Sequence, residues 1–278
     1  RSGAFVIGAR EFLIAYNANL NTRDTKIGSE IGLRIRESGR LAKDKDGNKV
    51  IGPDGNPVRV PGRFKNLKAV GWYIEDYGRA QVSMNLTNYK VTPPHVALEA
   101  VREEAASLGA YVTGSELVGL IPKAALLEAG RYYLKKQGRS WGVPERELIH
   151  IAILSLGLNE LGPFDPKKKI IEMCVEGKMN RLVDRTVTDF VDECSMDSPA
   201  PGGGSVAALA GAQGAALANM VANLTVGKKG YEAVWEEMKQ IAAEAQTIKD
   251  KFMAAIDRDT DAFNKVMDAF KMPKATDE

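Results

Sequence analysis

The stretch AVGWYIEDYGRAQVSMNLT, Ala69 to Thr87, decides the fold of the first half of the chain. Two runs rich in β-branched and aromatic residues, Ala69 to Glu75 and Arg79 to Thr87, flank a short turn at Asp76 to Gly78. That arrangement predicts an antiparallel hairpin. Upstream, REFLIAYNAN (Arg10 to Asn19) is a third β-rich run, followed by a helical pattern from about Thr22 to Ser38. Downstream, Thr92 and two prolines open a helix that runs to about Leu108, since proline fits a first helical turn. SELVGLI (Ser115 to Ile121) is a fourth strand, and Pro122 starts a helix ending near Gly138. The order β-α-β-β-α-β, then α, predicts a ferredoxin-like α/β sandwich. Lys43 to Gly62, with two Asp-Gly pairs and three prolines, interrupts it as a surface loop or protruding hairpin.

Further helix is expected from Pro144 to Leu156 and from Pro166 to Val175. Strand signals then stop, and everything from Arg181 onward has a helical pattern. The fold class is therefore α+β: a sandwich over 1–175, a polar connector at 176–180, and an incomplete all-α helical bundle over 181–278. Val206 to Val226 carries no charge and is long enough to span a bilayer. It is mostly Ala and Gly, with Gln213, Asn219, Asn223 and Thr225 inside, which suits tight helix packing better than lipid.

A net charge of +2, from 38 basic and 36 acidic residues, gives no general pull toward nucleic acid. Cys174 and Cys194 cannot form a framework and read as part-buried thiols of a cytoplasmic protein. The glycosylation patterns at Asn85 and Asn223 fall inside regular structure and are dismissed. The two histidines, His95 at a helix start and His150 in the apolar run ELIHIAIL, read as structural. No Cys/His spacing suits zinc, and no Gly-x-Ser-x-Gly elbow occurs.

Two features carry chemistry. Pro201 is followed by Gly202, Gly203, Gly204 and Ser205, ahead of an Ala-rich helix. Exposed N–H groups at the positive end of that helix suit an anionic group; a tight turn for close packing explains the glycines equally well. In the last helix, 100° steps put Phe252, Ile256, Phe263, Val266 and Phe270 on one apolar stripe, with Asp259 in its middle and Asp257 and Asp261 on the wet face. A carboxylate facing a core is costly to ionise, so its pKa is expected to rise, which suits proton donation near neutral pH. The alternative is a buried Asp that caps a neighbouring helix or pairs with a Lys. The same acidic run imitates a calcium loop but has Ala262 where the turn needs glycine.

The run DSPAPGGGSVAALAGAQGAALANMVANLTVGKKGY (Asp197 to Tyr231) resembles the start of a cyclodeaminase/methenyltetrahydrofolate cyclohydrolase domain, and IDRDTDAF (Ile256 to Phe263) resembles that domain's acidic helix. GAREFLIAYNANL, GWYIEDYGRAQVSMNLTNY, GSELVGLIP and LGPFDPKKKIIE resemble the second subdomain of glutamate formiminotransferase. In order and together, these motifs resemble the formiminotransferase-cyclodeaminase family. The resemblance implies formimino transfer from formiminoglutamate to tetrahydrofolate, then cyclisation to 5,10-methenyltetrahydrofolate with loss of ammonia. It implies folate as carrier and substrate, no metal, a homo-oligomer, and no nucleic-acid or membrane partner. By position the family's catalytic Asp is Asp259, and the turn Gly202, Gly203, Gly204, Ser205 is a candidate folate contact.

Against the family pattern, the catalytic His of a first subdomain is not found, and the helical domain continues beyond the pattern seen here. The chain is therefore read as a piece of the bifunctional enzyme that lacks formiminotransferase activity on its own. Lys43 to Gly62 reads as an insertion. Two other readings stand beside this one: a non-catalytic folate or polyglutamate binder or assembly element, and a methenyltetrahydrofolate cyclohydrolase.

Overall fold

Strand β1 (Ile14–Leu20) turns Ile14, Tyr16, Ala18 and Leu20 to one side, each at most 1% exposed, as a period of two requires. The structure is a computed structural model describing residues 3–4, 7–175, 181–198 and 200–272; the connector expected at 176–180 lies outside the described residues. Helix α1 (Thr25–Ile35) starts at Asp24, whose carboxylate accepts from the Lys26 N–H. Strands β2 (Arg40–Leu41) and β3 (Arg59–Val60) pair with each other, and bridges at Lys43–Lys49 and Ile51–Pro57 extend them. The Gly/Pro-rich segment is thus a separate hairpin.

Strands β4 (Leu67–Ile74) and β5 (Arg79–Leu86) form the expected antiparallel pair, with Leu67 opposite Leu86 and Trp72 opposite Gln81. Helix α2 (Pro94–Ser107), strand β6 (Val112–Val118) and helix α3 (Lys123–Lys136) follow. The sheet order is β4-β5-β1-β6, antiparallel throughout, which is the ferredoxin-like arrangement. Strand β6 lies three residues earlier than the expected Ser115 to Ile121, because Gly119, at φ +84°, ends it. Helices α4 (Glu145–Leu156), α5 (Pro166–Lys169) and α6 (Ile171–Val175) complete this half.

Close packing in the sandwich depends on glycine. A Cβ on Gly71 of β4 would lie 2.0 Å from the Ser29 nitrogen of α1, and one on Gly28 would lie 3.1 Å from the Gln81 carbonyl oxygen. The opposite face of the sheet holds a hydrogen-bonded polar layer. Asn17, Gln81 and Tyr77 donate to Glu116 at 3.1–3.2 Å, and Gln81 also donates to Asn19 at 2.6 Å. Since Asn19 and Gln81 are fully buried, their mutual bonding offsets the cost of removing them from water.

Two compact units result: one of residues up to Tyr133 with Glu145–Val175, the other of Leu134–Pro144 with the described residues from Arg181. The second contains a one-turn 3₁₀ helix (Leu182–Asp184), α7 (Val187–Cys194), α8 (Gly203–Thr225), another 3₁₀ turn (Glu232–Val234) and α9 (Trp235–Phe270). Helices α8 and α9 form an antiparallel hairpin. Ser205 meets Ile256, Gly211 meets the Phe252 ring, and Asn219 donates to the Ala242 carbonyl at 2.6 Å. Ser205, Ala208, Ala212, Asn219 and Ala222 are the buried residues of α8. Their three- and four-residue spacing makes one narrow stripe of small side chains. The Asn219 amide also donates to Gly142 of the 134–144 segment at 3.0 Å, as Asn223 does at 2.9 Å.

Helix α8 is long and apolar enough to cross a membrane by length and composition alone. Its pairing with α9, which carries Lys239, Glu244 and Lys249 along the shared stretch, speaks against insertion. Both cysteines, expected to be part-buried, are exposed: Cys174 lies in the short α6, which buries no residue, and Cys194 ends α7.

Candidate functional site

The two sequence features nominated for chemistry meet in space. Helix α8 begins at Gly202 without a side-chain cap, so its first N–H groups lack both an intrahelical acceptor and a capping side chain. Asp259, 55 residues downstream of Gly204, lies on the turn of α9 that faces this helix start. A Cβ on Gly204 would come within 2.3 Å of Asp259 Oδ1 and 2.6 Å of Oδ2, so any side chain there would push the carboxylate from its present place. Gly202 and Gly203 differ: a Cβ on either would meet nothing within 4 Å, and their φ values demand no glycine. The helix start is open on that side.

Ser205 is fully buried. Its hydroxyl donates to the Ile256 carbonyl at 2.7 Å and lies 3.3 Å from Asp259 Oδ2 and 3.1 Å from Thr260 Oγ1. The hydroxyl is buried in the seam beside Asp259, so Ser205 differs from its glycine neighbours. Thr260 and the Ile256 carbonyl escaped the sequence reading because one is an ordinary helical threonine and the other a backbone group.

The apolar stripe is only partly a core. Ile256 is buried with Leu182, Phe190 and Ala208, but Phe263, Val266 and Phe270 are 42%, 52% and 69% exposed. Helix α9 has 36 residues and α8 has 23, and Ser205 at the start of α8 already meets Ile256–Thr260. The last turns of α9 therefore run past the end of their partner. Asp259 is itself exposed, outside the buried core expected of its stripe. Asp257 is also corrected: it is half-buried, accepting from the Leu182 and Val183 N–H groups at 2.7 and 3.3 Å, because the segment before α7 packs on that side. Asp261 is exposed, as its helical position implies.

The histidines take no part in this site. His95 is 3% exposed and stacks on Tyr132 at 4.6 Å, and burial pushes its pKa down to about 4 against a small opposing pull from Glu99. His150 lies on the exposed side of α4. Among the described residues, no three His, Cys, Asp or Glu side chains converge as metal ligands.

Comparison with known proteins follows the same division. A family described as "Formiminotransferase domain" matches residues 15–176, and one described as "Formiminotransferase-cyclodeaminase" matches 186–278. The chain is 39% identical over 278 residues to formimidoyltransferase-cyclodeaminase of Mus musculus, covering 99% of this chain and 48% of the mouse protein. It is 40% identical over 149 residues to glutamate formimidoyltransferase of Thermoplasma acidophilum, covering 53% of this chain and 42% of that protein. It is 43% identical over 93 residues to methenyltetrahydrofolate cyclohydrolase of Methylorubrum extorquens, covering 34% and 45% respectively. The chain spans about half the length of the mouse relative, and the match takes in 99% of the chain. With both halves matched, and in this order, the chain belongs to the formiminotransferase-cyclodeaminase family.

Proposed function

We propose that the protein is a bifunctional folate enzyme of histidine degradation, and that this chain supplies the proton donor of its second step. In the first step a formimino group passes from formiminoglutamate to tetrahydrofolate. In the second the folate N10 closes the ring, 5,10-methenyltetrahydrofolate forms, and ammonia leaves. The observation that carries the reading is the seating of Asp259 against Gly204 at the open start of α8.

An amine is a poor leaving group until it is protonated, so a carboxylic acid placed at the departing nitrogen accelerates cyclisation, typically by ~10²–10⁴-fold. The exposure of Asp259 leaves it accessible to a bound folate. The free N–H groups beside Gly202 and Gly203 suit a carboxylate of the folate's glutamate portion. No residue here is assigned to formimino transfer: the one histidine near the sheet is buried, and these 278 residues alone are expected not to catalyse it. Two exposed free thiols fit a reducing cytoplasm. The apolar residues Leu217, Val221 and Leu224 on the outer side of α8 fit a homo-oligomer better than a lone subunit. No membrane or nucleic-acid partner is proposed.

The likeness of 93 residues to the cyclohydrolase favours a second reading, in which the same aspartate serves ring opening by water. A third reading, a folate-binding assembly element without turnover, draws on the outward apolar residues of α8 and α9. The test is Asp259→Asn in the full-length protein, with the two steps assayed separately. Cyclisation is expected to fall by ~10²-fold or more while formimino transfer is kept. A cyclisation rate within about twofold of wild type would remove Asp259 from the mechanism. Wild-type protein that opens the methenyl ring but releases no ammonia from the formimino compound would favour the cyclohydrolase.

A further inference from the structure

Ser205 has one hydroxyl proton and more than one claimant for it. The Ile256 carbonyl oxygen is 2.7 Å away and Asp259 Oδ2 is 3.3 Å away, and a serine hydroxyl donates to only one acceptor at a time. Thr260 Oγ1, at 3.1 Å, is placed to donate to Ser205 in either case. Ser205 is fully buried, so no water competes for these positions. The Ile256 carbonyl has a second partner in the helical N–H four residues on, at Thr260, and is not orphaned if Ser205 turns away.

We propose that Ser205 is a positioning residue for Asp259: a rotating hydroxyl that answers the charge appearing on the carboxylate as its proton leaves. This rests on the reading of Asp259 as the proton donor. At the point in the step where Asp259 holds the proton it donates, on Oδ1, Oδ2 is a weak acceptor and the Ser205 proton stays on the nearer Ile256 carbonyl. As the Oδ1 proton passes to the departing nitrogen, the carboxylate becomes a strong acceptor. The Ser205 O–H then swings from Ile256 to Oδ2. Ring closure forms the bond from the formimino carbon to N10, whose proton passes to the departing nitrogen. The Asp259 O–H bond then breaks as its proton joins that nitrogen, and the carbon–nitrogen bond breaks to release ammonia, while the Ser205 proton turns about its C–O bond and stays on its own oxygen. The hydrogen bond is stronger in the transition state than in the ground state, so it raises the rate of the step without tightening substrate binding. Gly204 belongs to the same device, because any side chain there would displace the carboxylate from reach of the hydroxyl.

The test compares Ser205→Ala, Ser205→Cys and Asp259→Asn in the full-length protein, measuring kcat and KM for cyclisation. Ser205→Ala is expected to lower kcat by about 10-fold at unchanged KM. Ser205→Cys, which keeps a weaker donor of similar size, should fall between it and wild type; if Ser205→Ala does not fold, the cysteine variant carries the test through the same lowered kcat at constant KM. A wild-type kcat in these variants, or a loss confined to KM, overturns the proposal. If Asp259→Asn keeps its cyclisation rate, the proton-donor reading itself fails; if that variant is inactive and Ser205→Ala is not impaired, only the rotating hydroxyl fails.

Discussion

In the sandwich, Ile14, Leu20, Leu98 and Leu126 are fully buried, whereas the helical hairpin buries Ala208, Ala212, Ala222 and Ala242 and leaves Leu217, Val221 and Leu224 more than half exposed. The first unit thus has a core of large side chains closed by its own elements. The second is held by backbones brought close through small residues, and its seam is polar as much as apolar, with Ser205, Asn219 and Gln246 all buried. Area burial stabilises the first at ~25 cal/mol per Å² of apolar surface. The second gains less from area and more from hydrogen bonds that only close approach allows. Apart from a small cluster of Leu182, Phe190 and Ile256, many of its large apolar side chains, Leu217, Val221, Leu224 and Phe270 among them, point outward, where another surface can use them. A site built on such a hairpin can keep a carboxylate at the surface and still hold it firmly, because the seam fixes the backbone beneath it.

Four experiments put the difference between the two units to the test. The largest effect is expected from Leu98→Ala, at the centre of the sandwich, which should cost ~2–5 kcal/mol in urea unfolding. A loss below ~1 kcal/mol would mean that the core does not carry this unit.

Next is acid. His95 has a folded pKa of about 4 against 6.5 unfolded, so the unfolded chain takes up a proton first as pH falls. The stability contributed by neutral His95 is intact above pH 6.5 and is lost progressively between 6.5 and 4, by ~3 kcal/mol in all. His95→Phe should abolish this dependence of the sandwich; an equal acid loss in the variant would place its origin elsewhere.

Glycine substitutions come third and separate the units by kind. Gly71→Ala meets backbone and should destabilise the sandwich by ~1–3 kcal/mol. Gly204→Ala meets the Asp259 carboxylate first, the end of a side chain rather than backbone, so thermal unfolding should change little while cyclisation drops; equal unfolding shifts would dissolve the distinction. The smallest effect is expected from Leu224→Ala, 67% exposed, which should leave stability within ~0.5 kcal/mol. A larger loss would show that its outer face is already covered in the protein as it occurs.

Particular residues show how much was legible in the sequence. The hairpin at Ala69 to Thr87 was readable because strand alternation and its turn are local. The end of the strand expected at Ser115 to Ile121 was misplaced by three residues because Gly119 breaks it through a positive φ that no hydrophobic pattern reports. In the last helix, periodicity found Ile256 as a core residue and placed Asp259 on its stripe, but it put Asp257 in water. The error arose because a helical wheel knows the angle between residues and nothing of which neighbour lies on each side; here the Leu182–Asp184 turn occupies the side of Asp257.

The α+β class, the order of elements, the small-residue composition of α8 and the two unusual motifs all follow from local propensity and spacing. Tertiary structure decided that the two motifs meet, that a Cβ on Gly204 would collide with the Asp259 carboxylate, and that Ser205 is buried with its hydroxyl facing Asp259. It also decided that most of the apolar stripe on α9 is uncovered, since Phe263 to Phe270 run past the start of α8. The physical reason is the same in each case: contact between residues some fifty positions apart is set by how two helices align along their length, and alignment is a property of the pair that neither helix encodes alone.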